Sequence, residues 1–121
     1  MALALSAQQQ NQVAFLQLVP TRIARWHSAI EQMGAGKVDE SLVRGMIRTL
    51  DEVKSGASQL KLNGLADATS QMAATARRGG GAQVKVRALR DNLASVRMHY
   101  DSALKKASIP VAHAPEEEQT A

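Results

Sequence analysis

The chain has no cysteine, so disulfides, thiolate metal sites and cysteine nucleophiles are excluded. Aromatic residues are only 2% of its 121 positions: Phe15, Trp26 and Tyr100. A core must therefore come from Leu, Val, Ile, Met and many alanines, within an apolar fraction of 45%. Alanine-rich sequence with few β-branched or aromatic runs favours helix over strand. No apolar run approaches the roughly 20 residues that cross a bilayer. The opening "MALALSA" lacks both a charged segment and the length of a secretory leader, so a cytoplasmic location is expected.

What is present repeats with helical spacing. Leu16, Val19, Ile23, Trp26, Ile30 and Met33 recur at alternating steps of three and four, with Pro20 marking a first turn or a kink. After the "GAGK" break, Asp39 or Ser41 can cap a second segment. Its stripe is Leu42, Val43, Met46, Ile47, Leu50, Val53, Ala57 and Leu60. "KLNG" turns the chain into a third, alanine-heavy segment on Leu65, Ala68, Met72 and Ala76. "RRGGGAQ" ends that segment, and Val86, Leu89, Leu93, Val96, Tyr100 and Leu104 form a fourth seam. Short connections between four amphipathic segments predict an all-α, antiparallel up-down four-helix bundle. There is room for a short extra N-terminal helix. The expected organisation is a flexible lead-in over 1–12, the bundle over 13–107 and a disordered acidic tail over 108–121.

The formal net charge is +4 although "EEEQTA" gathers three of the acids at the end. A basic balance suits nucleic acid, an anionic membrane or an acidic protein. Arg77, Arg78, Lys85, Arg87, Arg90 and Arg97 are the candidates for a nucleic-acid face. Helical spacing spreads Lys85, Arg87 and Arg90 around the axis, and Asp91 and Asp101 interrupt the stripe. Without aromatic stacking platforms this reading is disfavoured. "GGG" at Gly79–Gly81 lacks the strand and the Gly-Lys-Ser/Thr ending of a phosphate loop.

The stretch "RTLDEVKSGASQL", Arg48 to Leu60, carries a sharper signal. Asp51 is followed by Lys54, then by the small residues Ser55, Gly56, Ala57 and Ser58, with Leu60 and Leu65 at the corner. "MAATARRGG", Met72 to Gly80, closes the next helix. This pattern resembles the histidine-containing phosphotransfer (HPt) domain, particularly the one that opens chemotaxis-type histidine kinases. Asp51 stands at the place of the reactive histidine. The resemblance covers roughly residues 15–106, its specific part being the stretch around Asp51. It implies a helical bundle of bacterial two-component signalling, in which Lys54 steadies phosphoryl charge and small neighbours admit a receiver domain.

A phosphorelay histidine attacks phosphorus through a neutral ring nitrogen, and a carboxylate cannot take that part. Glu52 lies about 100° around the helix from Asp51, a poor geometry for a shared metal. The reading is therefore a non-catalytic HPt-like protein, needing no cofactor or metal, whose polar face Arg44, Arg48, Asp51, Lys54, Ser55 and Ser58 binds a receiver domain or histidine kinase. The bland account of this face is solvation, with Arg48–Asp51 and Asp51–Lys54 pairs contributing about a few tenths of a kcal/mol. A receiver's acidic pocket would also repel Asp51, a repulsion that Arg44, Arg48 and Lys54 lessen. The alternatives are phosphotransfer through His27 or His99, with His113 in the tail a weaker candidate, and a basic nucleic-acid-binding bundle.

Overall fold

The computed structural model describes residues 4–37 and 39–110. Five helices account for most of them: α1 (Ala7–Leu16), α2 (Val19–Gly34), α3 (Glu40–Gln59), α4 (Asn63–Arg77) and α5 (Ala82–Ala107). Among the described residues there is no β-strand, and no helix is long and apolar enough to cross a membrane.

The break between α1 and α2 follows from Pro20. It falls in the first turn of α2, where no intrahelical partner is needed for the missing N–H. One continuous helix would press its ring against the carbonyl four residues earlier, that of Leu16, which is where α1 stops. The glutamine-rich start, read as a flexible lead-in, is helical from Ala7. Ser6 and Gln9 make a capping box: the Gln9 N–H donates to the Ser6 hydroxyl at 3.0 Å, and the Ser6 N–H donates to Gln9 Oε1 at 2.9 Å. At the far end α5 stops at Ala107 and Ser108–Pro110 lie beyond it. The rest of the expected acidic tail, 111–121, lies outside the described residues.

The packing forms a ring. α3 lies along α4, α4 along α5 and α5 along α2, while a less extensive α2–α3 seam closes the circuit. α1 rests on α5 and touches α2. Inside the ring Trp26, Ile30, Leu50, Leu65, Met72, Leu89 and Val96 are fully buried. Burial of each large side chain contributes about 1.5–3 kcal/mol before the entropy of ordering is set against it.

α4 is buried on more than one side, which its weak apolar stripe did not announce. Ala66, Ala68, Ala73 and Ala76 keep its surface low enough for α3 and α5 to approach closely. Thr69 and Thr75 are buried too, and their hydroxyls donate to the carbonyls of Leu65 and Gln71 one turn back. Both hydroxyls are thereby satisfied, whereas Asn92 Oδ1 on α5 is buried without a hydrogen-bond partner among the described residues. Across the α2–α3 seam, the buried Trp26 indole N–H donates to the Thr49 hydroxyl at 2.7 Å.

Candidate partner-binding face

α3 runs for 20 residues because Asp39 caps it, accepting the Ser41 N–H at 2.9 Å, and because its apolar stripe finds a core. With Met46, Leu50, Val53 and Ala57 turned inward, helical periodicity puts Arg44, Arg48, Asp51, Ser55 and Ser58 outward. Lys54 lies on the flank toward α4. All of these except Asp51 are well exposed, and Asp51 is half-buried.

Four of the six expected site residues share one feature. Asp51, Lys54, Ser55 and Ser58, with Gln59 from α3 and Arg77 from α4, line an open concavity of about 700 Å³. Arg44 and Arg48 do not line it. Arg44 makes an exposed pair with Glu40 at 3.6 Å, one turn back on its own helix.

The charge on this face is arranged differently from the intrahelical pairs expected. Asp51 Oδ2 accepts from Arg77 Nη2 at 2.5 Å, across the gap between α3 and α4. Neither Arg48 nor Lys54 has an ion-pair partner among the described residues. The α3–α4 packing brings the end of α4 beside the middle of α3, so the guanidinium reaches a carboxylate that the neighbours of Asp51 leave unpaired. Arg77 thus belongs to the site although only its place in "MAATARRGG" hinted at it. Gln59 carried no signal.

The small residues divide between two roles. Ser55 and Ser58 face solvent, whereas Ala57 is fully buried in the core. Gly56 is turned toward α1, and a methyl group there would overlap the Phe15 ring. Gly56 and Ala57 therefore serve internal packing, and two hydroxyls remain beside Lys54.

Asp51 is poorly placed for group transfer or metal binding. Its charge is engaged by Arg77, and Glu52 points to the other side of α3, where Arg22 of α2 meets it at 3.4 Å. Among the described residues no three His, Asp or Glu side chains gather as a metal site would require. His27 is exposed on α2, while His99 is half-buried on α5 against Gly64. His113 lies outside the described residues. The hydroxyl of Tyr100, next to His99 in the chain, is pushed above the usual phenol range by burial and then by the charge of Asp101.

Three of the six cations considered for nucleic acid are occupied within the fold. Arg77 holds Asp51, Arg90 reaches both oxygens of Glu31 at 3.3 and 3.4 Å, and Lys85 Nζ donates to the Ala76 carbonyl at 3.3 Å. Comparisons with protein-family models, with curated proteins and with solved structures find no match.

Proposed function

We propose that α2–α5 form an antiparallel up-down bundle of HPt-like architecture, and that this chain is a non-catalytic signalling module of the cytoplasm. It binds a receiver domain or a histidine kinase through the outward face of α3. The observation that carries the reading is the Asp51–Arg77 pair beside an unpaired Lys54. With the carboxylate neutralised, the concavity presents an ammonium, two hydroxyls and a guanidinium edge. An acidic receiver pocket then meets a face of net positive charge, and the repulsion expected from Asp51 is offset within this protein.

Incubation with a receiver domain carrying an acyl phosphate tests both halves of the proposal. The expected result is association that weakens with salt and on Lys54→Glu, with no acid-labile phosphate on this chain. Stable phosphohistidine on the chain would overturn the non-catalytic reading. Association with unchanged affinity in Lys54→Glu and Arg77→Gln would move the interface elsewhere.

A further inference from the structure

A second cavity, of about 350 Å³, lies at the corner where α3 turns into α4. Lys61 and Gly64 of the corner form part of its wall, with Gln12 of α1 and His99, Ser102 and Lys106 of α5. Among the described residues no Asp or Glu contributes to the lining. Neither lysine has an ion-pair partner among the described residues, so two unpaired lysines line one recess.

The recess is held open from three sides. Gln12 Nε2 donates to the carbonyl of Leu60 at 2.9 Å, which ties α1 to the corner. Gln9 Nε2 donates to the carbonyl of Ile109 at 2.8 Å, which ties α1 to the end of α5. These bonds fix the backbone just before Lys61 and beyond Lys106. The His99 ring is seated by a glycine: Nδ1 lies 2.7 Å from where a β-carbon at Gly64 would stand. Neither ring nitrogen of His99 has a hydrogen-bond partner among the described residues, and with Nδ1 packed on Gly64 it is Nε2 that can hydrogen-bond an occupant.

Lys61 adds an independent observation. Its φ is +61°, in the left-handed region. The Leu62 N–H donates to the Ala57 carbonyl and the Lys61 N–H to the Ser58 carbonyl, the paired bonds of a Schellman turn. Glycine is the usual residue at that position, because a side chain there crowds the backbone. The chain accepts a lysine at a conformational cost, and its side chain borders the recess.

We propose that this corner cavity binds a small phosphate-bearing molecule, a phosphomonoester dianion or inorganic phosphate. Two ammonium groups match two negative charges, and lysine serves phosphate as a point charge. The Ser102 hydroxyl and the imidazole supply further hydrogen bonds, and the volume is at the small end of ligand pockets. The site is separate from the α3 face and does not depend on the partner proposed for it.

The test is an NMR titration of the full chain with inorganic phosphate, with glycerol 3-phosphate and with sodium chloride at matched ionic strength. Saturable shifts are expected at the Gly64 amide and the His99 ring, with no saturation in chloride. A tighter ester identifies a ligand with an organic part, and equal affinities identify phosphate itself. Lys61→Gly and Lys106→Gln should each weaken binding by about two- to fivefold. Lys61→Gly should do so without lowering the melting temperature, because glycine suits the left-handed turn. A lysine kept only for the carbonyl end of α3 would show the opposite: lower stability and unchanged affinity. That outcome, no saturable shift, or shifts centred on Lys54 and Ser58 would overturn the proposal. Receiver binding is not part of the readout, so this result stands apart from the fate of the α3 face.

Discussion

Asp51 meets its cation across the gap between two helices, whereas Lys61, at the end of the same α3, has no ion-pair partner among the described residues. Asp51 and Lys61 are close in sequence, yet the regions around them are built differently. The α3 face is partly self-neutralised, by an arginine 26 residues away in the chain. Among the described residues the corner leaves two lysines and an imidazole without partners around a smaller recess. The charge of a helix face thus depends on what the neighbouring helix delivers, not only on the residues written along it.

The strongest way to break the comparison is to remove what both regions share. Leu50 is fully buried behind Asp51, and Leu50→Ala should cost about 2–5 kcal/mol in denaturant unfolding, with α3 face and corner lost in one transition. A variant that lost one region and kept the other would show that they fold independently.

A smaller change should separate them. Gly56→Ala forces a methyl into the Phe15 ring, with an expected cost of about 1–3 kcal/mol. The displaced element is α1, so hydrogen exchange should quicken in α1 and at the corner that Gln12 holds, while the Asp51–Arg77 pair survives. Lys61→Gly lies below that in size and opposite in sign, a gain within about 1 kcal/mol by thermal unfolding. The smallest effect on folding belongs to Arg77→Gln. Both partners are about half-exposed, so the loss should be about 0.2–1 kcal/mol. Its effect on partner association should be larger than on stability, because an uncompensated Asp51 then faces any acidic surface.

Much of the interior was legible. Every residue of the seam from Leu16 to Met33 is buried, because a bundle helix has one inward stripe and the sequence repeats at that period. Pro20 marked a boundary for a reason that its ring geometry supplies. A short extra N-terminal helix was expected without a place, because the helix that begins in "AQQQNQ" has little apolar stripe of its own. Its support is a capping box and two glutamine side chains that bond to distant carbonyls. The face of α3 was legible as a set of outward residues, since periodicity alone decides that. Its charge state was not, since Arg77 reaches it through the packing of α3 on α4. The corner cavity was the least legible. Gln12, Lys61 and His99 come from three separate stretches, and no spacing rule connects them.

The Phe15 ring over Gly56 makes the chain its own reporter. The α-protons of a glycine in contact with an aromatic ring experience its ring current, and their resonances move away from the ordinary glycine range. With only three aromatic residues in the chain, such a signal is easily assigned to Phe15. Gly56 lies within the turn that carries Ser55 and Ser58, and Phe15 sits on the helix that holds the corner through Gln12. One pair of proton lines would therefore reveal whether α1 stays seated when either of the two regions is occupied.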